Sequence, residues 1–481
     1  MRRVKEKIRS RGYLAGLLGA TALILVGCNG TEDTINTGTN TTGATVTLPA
    51  MNSPSDIASE SAANYDDNNY GLITGSTLAN WIANWPVNRP VGVEGKLIIL
   101  QTSTDNAGYE YIASDPANGV FTYLAPMVNE LRSNGVVMTK SMVPSGQMMD
   151  NFLSKYNIDP TKDMVVCAQG KAGGSQAMGA GRCWYTFRYW GMPKGLVSVL
   201  NGGNTWNNTA NGLPVMATAD TPPETGLASV KDLPQINFAL QATLEDMVNV
   251  IPTTDTNVLD DGVFIWDARS SNQYYPTGDG DFQSGPVQGH PNGALDLNYT
   301  NLLDAANGYS YKSKAEIQAY MDGDTDLGGN GFLDITLQPV GNGNAYQSGD
   351  TVITYCETTY RAMVTGFASA AILGLPTRFY DGAMTEWHSL SAVPDSNGDL
   401  FLAADSPWRT DTLDRSHYFL KSVAVDPATT TGVITNAYSG TAHAIIIEDL
   451  AYKGIIVDMG SETGSSDTSG GAPLPSNPCG G

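Results

Sequence analysis

The sequence of 481 residues is poor in basic, histidine and cysteine side chains. It has 26 lysines and arginines against 48 acidic residues, which gives a formal net charge of −22. A surface this negative repels nucleic acid, so we expect no nucleic-acid partner. The four histidines form no cluster with ligand spacing, which argues against a zinc or haem site.

Long hydrophobic runs are also scarce. The apolar run at residues 13–26 is too short for a comfortable membrane span, and it follows a strongly basic N-terminus. Leu25-Val-Gly-Cys28 then resembles a bacterial lipobox. We therefore predict a lipoprotein signal peptide over residues 1–28, lipidation of Cys28, and a cell-envelope protein held by lipid. Asn29, rather than Asp, favours the outer membrane of a Gram-negative bacterium.

The most informative stretch begins at Asp350. Val352, Ile353 and Tyr355 predict a buried strand, and the small apolar residues 362–373 predict a helix. Cys356 lies between them, where unpaired N–H groups and the helix dipole favour a thiolate. Arg361 adds a positive charge, and we expect Cys356 to be accessible.

Motifs around this stretch resemble the two-domain rhodanese-like sulfurtransferases. Before it, Asp267-Ala-Arg269 resembles the turn that opens a rhodanese domain, and residues 289–294 resemble Gly-His-x-x-Gly-Ala. After it, residues 380–387 resemble the closing Tyr-Asp-Gly-x-x-x-Glu-Trp. The resemblance implies an α/β fold of two tandem domains, each a parallel sheet flanked by helices, with a C-terminal extension.

The resemblance also implies residue roles. Cys356 and Arg361 would be catalytic. Asp267 and Arg269 would help to position these two residues without reacting themselves. Where many members have a glycine, this chain has Thr359, and threonine does not readily take positive φ. We therefore expect the loop to curve differently. The residues predicted to bind substrate are Glu357, Thr358, Thr359 and Tyr360.

An internal repeat and changes in composition along the chain predict its division into domains and linking segments. When the halves are aligned, Gln169 falls opposite Cys356, which predicts a non-catalytic first domain. The predicted segments are a flexible tether at 29–75, the first rhodanese-like domain at 76–207, a linker at 208–256, the second domain at 257–392, an extension at 393–460 and a disordered tail at 461–481.

The remaining cysteines are Cys167, Cys183 and Cys479. An exported protein could pair Cys167 with Cys183, but these residues lie on a predicted strand and the next helix, which rarely come within disulfide range by chance, so we do not expect the bond. The alternative to a non-catalytic first domain is that Cys167 or Cys183 reacts. Cys479 lies in the predicted tail, where we expect an incidental thiol.

An acidic segment and two apolar runs in the second part of the chain also predict local structure. Asp322, Asp324 and Asp326 have the spacing of a calcium loop, but the glycine and the final carboxylate that such loops require are missing. We therefore expect no metal and no cofactor, with Ca²⁺ kept as the alternative. The apolar residues 444–447 and 454–457 predict strands.

The combined hypothesis is an enzyme that moves a sulfane sulfur from a thiosulfate-type or polysulfide-type donor through a Cys356 persulfide. Its partners would be a small sulfur-containing anion or a protein-borne sulfur, with other envelope proteins and the membrane. One alternative is a non-enzymatic rhodanese-fold subunit of an outer-membrane or extracellular complex. The other is an oxyanion reductase or a phosphatase-like enzyme.

Overall fold

The computed structural model describes residues 48–103, 110–126, 129–133, 139–252, 255–275, 289–389 and 443–458. The strands are β1 Gly71–Ile73, β2 Leu97–Gln101, β3 Tyr111–Ile112, β4 Val120–Leu124, β5 Glu130–Arg132, β6 Thr139–Met142, β7 Met164–Ala168, β8 Val197–Leu200, β9 Val215–Met216, β10 Gln241–Ala242, β11 Val263–Asp267, β12 Leu295–Asp296, β13 Leu303–Asp304, β14 Ser310–Tyr311, β15 Thr351–Tyr355 and β16 Thr377–Tyr380.

The α-helices are α1 Pro54–Ile57, α2 Gly75–Ala83, α3 Trp85–Asn88, α4 Gly146–Tyr156, α5 Gly174–Tyr189, α6 Asn204–Asn211, α7 Leu244–Val250, α8 Ser271–Tyr274, α9 Lys314–Met321, α10 Ala362–Phe367, α11 Ala383–Ser389 and α12 Ala444–Tyr452. A π-helix, Ala368–Ile372, continues α10. Short 3₁₀ turns connect several of the other elements.

Two five-stranded parallel sheets form the frame of the molecule. Their orders are β1-β8-β7-β2-β4 and β10-β16-β15-β11-β12. Within each half the strands follow the same plan, with the first at one edge and the fourth in the centre. Strands β2 and β7 are buried along their whole length, as expected for parallel strands covered by helices on both faces. The chain is therefore an α/β protein with an internal repeat.

The edge strand of each sheet lies outside the predicted domain boundaries. Strand β1 falls within residues 29–75, predicted as a flexible tether, and β10 falls within the predicted linker 208–256. Before β1, the backbone N–H groups of Ser59 and Ser61 donate to Ala370 and Ile372 of the second half. The tether prediction is therefore wrong from residue 48 onwards. Strands of two or three residues are too short to show a hydrophobic pattern.

The C-terminal extension also differs from its prediction. Residues 444–447, predicted as a strand, begin helix α12, and residues 454–457 form no strand. Arg132 of the first half binds Asp449 of this helix at 2.7 Å, and the Tyr189 hydroxyl donates to the same carboxylate at 2.6 Å. Burial raises the pKa of Asp449 to about 6, although Arg132 opposes the shift. The predictions for Cys28 and Cys479 lie outside the described residues.

A disulfide joins Cys167 to Cys183, contrary to the sequence prediction. Cys167 lies on β7, and the long helix α5 packs back over that strand, which brings the two Cα atoms to 5.9 Å. This is within the usual disulfide range. The bond removes both thiols from the set of candidate nucleophiles, so the alternative in which Cys167 or Cys183 reacts is wrong.

The acidic insertion is held by protein groups. The Asp326 carboxylate accepts hydrogen bonds from the Lys312 ammonium at 3.1 Å, the Tyr320 hydroxyl at 2.7 Å and the Asn330 amide. Among the described residues, no three His, Cys, Asp or Glu side chains are placed to hold a metal ion. In the same part of the chain, no helix has the length and apolarity needed to cross a membrane.

Candidate active site

Cys356 directly follows the central strand β15, at the carboxyl edge of the second sheet. It is the free cysteine of the described residues, and it is buried with 1% of its surface exposed. Ala268, Ala362 and Tyr299 pack around it. The expectation of an accessible thiol is therefore wrong for this conformation, because the tyrosine and two alanines enclose the sulfur.

Tyr299 is a site residue that the sequence prediction missed. Burial raises the pKa of its hydroxyl, the Arg361 charge lowers it and Cys356 raises it, so the ring lies close to both predicted catalytic residues. A side chain on Gly174 of the first half would come within 3.1 Å of the tyrosine oxygen. Tyr299 thus covers the thiol from a position between the halves, and nothing in its local sequence marks it.

Arg361 lies at the start of α10 and is partly exposed. Its guanidinium donates to the Gln273 side chain at 2.6 Å and lies 3.5 Å from the Glu357 carboxylate. Glu357 is buried and also accepts a 3.1 Å hydrogen bond from Gln273. The loop therefore contains a cation and an anion next to each other, joined through one glutamine of α8.

Thr359 has a φ of +65°, the region that a glycine would occupy without strain. Its buried hydroxyl donates to the carbonyl oxygen of Asp381 at 2.6 Å, with the carbonyl oxygen of Tyr380 at 3.2 Å. The expectation that threonine would avoid positive φ is wrong here. Thr358 is half-buried, and the Tyr360 hydroxyl accepts from the Asn129 amide of the first half.

Asp267 and Arg269 form a fully buried ion pair of 2.6 Å behind the thiol loop. The Tyr355 hydroxyl donates to Asp267 at 2.8 Å, which connects this pair to the strand that carries Cys356. Asp296, at the end of the next strand, pairs with Asp267 in the sheet register. Burial, and then the nearby Asp267 charge, raise the pKa of Asp296 to about 8.

The equivalent position in the first half is occupied by Gln169. This residue follows β7 as Cys356 follows β15, in agreement with the alignment of the two halves. The Gln169 amide donates to the Tyr309 carbonyl at 3.1 Å, and its side chain is buried. An amide at this point forms no persulfide, and the free thiol of the described residues lies in the second half.

A cavity of about 240 Å³ lies away from the thiol, between the N-terminal segment and the end of the π-helix. It is lined by residues 59–61, 67–70 and 371, none of them a cysteine. This cavity therefore does not coincide with the thiol loop. The buried thiol at a strand end beside a cation is the better guide.

Residues 254–390 match the family model described as Rhodanese-like domain. These residues therefore form a rhodanese-like domain. The first half has the same five-strand order, so the two halves are tandem copies of one fold. No curated protein matches the chain.

Several solved structures resemble the chain at low identity. The Tum1 protein from Saccharomyces cerevisiae is 18% identical over 66% of this chain and 95% of its own, with a TM-score of 0.48. SseA from Escherichia coli, described as a 3-mercaptopyruvate sulfotransferase, is 17% identical over 65% and 98%, with a TM-score of 0.42. An anaerobic ergothioneine biosynthesis enzyme from Chlorobium limicola is 16% identical over 69% of each chain, with a TM-score of 0.46. Likeness at this level carries no argument about activity.

Proposed function

We propose that the protein is a sulfurtransferase that carries sulfane sulfur on Cys356. One observation supports this most directly: the free thiol of a rhodanese-like domain lies at the carboxyl end of the central strand, next to Arg361. A thiol in this position attacks electrophilic sulfur once it is deprotonated. Arg361 supplies a permanent positive charge for an anionic donor.

The proposed reaction has two steps. In the first, the Cys356 thiolate attacks the outer sulfur of the donor; a new S–S bond forms to Cys356, and the donor leaves with the electron pair of its broken bond, as sulfite when the donor is thiosulfate. In the second, an acceptor thiolate attacks the outer sulfur of the persulfide and releases the Cys356 thiolate. No external oxidant or reductant is consumed.

Glu357 bears on the choice of donor. Its carboxylate lies 3.5 Å from the Arg361 guanidinium and cancels part of that charge. A doubly charged donor such as thiosulfate is therefore disfavoured relative to a persulfide carried by a thiol or a protein. We propose a sulfur donor of low charge, or protein-borne sulfur, as the substrate class.

The test is to incubate the purified protein separately with thiosulfate, polysulfide and a thiol persulfide, followed by mass spectrometry. We expect one added sulfur, about 32 Da, on the peptide that contains Cys356. Cys356→Ser should abolish both this adduct and turnover while leaving the melting temperature unchanged. Absence of the adduct with every donor would contradict the proposal.

A second candidate is a non-enzymatic subunit of an envelope complex. It is favoured by the burial of Cys356 beneath Tyr299, which closes the thiol to reagents in this conformation. Such a protein would show no turnover with any donor, and Cys356→Ser would retain partner binding. Co-purification from cross-linked cells with wild-type and Cys356→Ser protein separates the two candidates.

We also propose that the mature protein is lipid-anchored through Cys28 in the cell envelope, in the outer membrane. The Cys167–Cys183 disulfide supports export, because such bonds persist mainly in oxidising compartments. Mass spectrometry should find a diacylglyceryl group on Cys28 as the new N-terminus. Cys28→Ala should release the protein from the membrane fraction, whereas a soluble wild-type chain would contradict the anchor.

A further inference from the structure

Thr359 holds an unusual backbone conformation within the thiol loop. Its φ of +65° is unfavourable for a β-branched residue, and such conformations persist only where the surroundings impose them. The side chain is completely buried, and its hydroxyl bonds to the Asp381 carbonyl oxygen at 2.6 Å. The path of the loop between Cys356 and Arg361 therefore depends on where Asp381 lies.

Asp381 is in turn held by the first half of the chain. Its carboxylate binds the Arg182 guanidinium at 2.7 Å, and neither side chain has any exposed surface. The backbone N–H of Val143 donates to the same carboxylate at 2.6 Å. Arg182 lies on α5, which packs closely on the helix after the thiol loop, because a side chain on Gly181 would come within 2.5 Å of the Met363 carbonyl oxygen.

A second buried ion pair provides the contrast. Arg132 binds Asp449 at 2.7 Å, with both side chains almost fully buried, and joins the first half to helix α12. Neither member bonds to the thiol loop. If buried ion pairs served only to hold segments together, the two pairs would have equivalent effects. The two pairs differ because, of the two aspartates, only Asp381 also accepts a hydrogen bond from the Thr359 hydroxyl, through its backbone carbonyl oxygen.

We propose that Arg182 of the first half is a positioning residue for the thiol loop of the second half, acting through Asp381 and Thr359. The inference rests on the proposed function, in which Cys356 is the reacting thiol. It assigns the first half a role in the reaction even though Gln169 occupies its own strand end. The first half holds Thr359 at a positive φ that a glycine would take without strain.

The experiment compares Arg182→Met with the matched control Arg132→Met. Both variants remove a buried arginine and leave a buried aspartate, so both should lower the melting temperature. We measure the second-order rate of iodoacetamide alkylation of Cys356 and the rate of persulfide formation, well below the melting temperature of each variant. Arg182→Met should slow both reactions at least tenfold, whereas Arg132→Met should change them less than twofold.

A rescue distinguishes positioning from general stability. Thr359→Gly takes positive φ without a side-chain bond, so adding it to Arg182→Met should recover at least half of the lost rate. Equal losses in the Arg182 and Arg132 variants, or no recovery with Thr359→Gly, would overturn the proposal. If Arg182→Met does not fold, Thr359→Val tests the proposal instead. This variant removes the hydroxyl that bonds to Asp381 and leaves the Arg182–Asp381 ion pair intact.

Thr359→Val should slow alkylation at least tenfold, and an unchanged rate would overturn the proposal. Alkylation needs no sulfur donor. A protein that shows the alkylation dependence but forms no persulfide would therefore retain the positioning role and lose the proposed function.

Discussion

The two halves of the molecule share a strand plan but differ at the edge where the chemistry lies. In the second half, charged and nucleophilic side chains lie at the carboxyl ends of β11, β12 and β15, and the buried Arg269 pairs with Asp267 among them. In the first half the same positions are neutral, and a disulfide joins β7 to α5. The first half has Gln101, Leu124 and Gln169 where the second has Asp267, Asp296 and Cys356.

This difference shows how a repeated fold divides its tasks. Buried charges are costly unless they are paired, so strand ends without a reacting group have no need to keep them. The first half instead supplies rigid contacts, through α5 and its ion pair with Asp381. The following predictions test this division, beginning with the largest effect.

The strongest test asks whether the two strand ends are interchangeable. Cys356→Ser should lower sulfur transfer at least about 1,000-fold, because a hydroxyl cannot carry the sulfane sulfur. Adding Gln169→Cys should not restore it, since Gly174 stands five residues on, where the second half has Arg361. Turnover and the site of any sulfur adduct are the measurements. Activity from a thiol at residue 169 would contradict the division of tasks.

The disulfide should matter for stability and little for the reaction. Replacing Cys167 and Cys183 with alanine removes a crosslink between residues 16 apart, which we expect to cost about 3 kcal/mol in urea unfolding. Turnover at 25 °C should stay within about threefold, or roughly 0.7 kcal/mol. A loss of two orders of magnitude in rate would show that the first half takes part directly in the reaction.

The loop charges should control donor preference. Glu357→Gln removes the anion beside Arg361, so kcat/KM for thiosulfate should rise about tenfold, or about 1.4 kcal/mol. The value for a thiol persulfide, whose persulfide group carries at most one negative charge, should change less than threefold, which serves as the internal control. Equal changes for both donors would mean that Glu357 acts on the loop's shape and not on its charge.

Asp296 should make the second half sensitive to pH. Its pKa of about 8 lies above the ordinary 3.8, so the folded protein keeps a proton that the unfolded chain releases between those values. The stability that the protonated Asp296 carboxyl gives the folded protein is therefore complete below about pH 4, and it is lost as the pH rises through 8. Asp296→Asn should match the wild-type melting temperature near pH 4 and exceed it by several degrees at pH 9. A constant difference across that range would contradict the assignment.

The sequence predicted the sheet framework and the thiol position well, because long apolar strands and family motifs are local patterns. It predicted the alignment of Gln169 with Cys356 for the same reason. It failed for residues 444–447, because a short apolar run fits a helix as well as a strand.

The other failures depend on contacts between distant parts of the chain. The positive φ of Thr359 depends on carbonyl groups at the end of β16, some 20 residues later. The disulfide depends on how α5 packs over β7, and the enclosure of Cys356 depends on Tyr299. Such tertiary contacts override local preference and leave no mark on the nearby sequence.

The N-terminal segment that crosses between the halves has a consequence for biosynthesis. The Ser61 hydroxyl bonds to the Ala371 carbonyl, 310 residues later in the chain. At a synthesis rate of roughly 5–20 residues per second, this segment waits roughly 15–60 s for its partner to leave the ribosome. The part of the described chain that is synthesised first is thus among the last to form its native contacts. A chaperone that binds nascent chains would therefore meet a segment that has no native partner during that time.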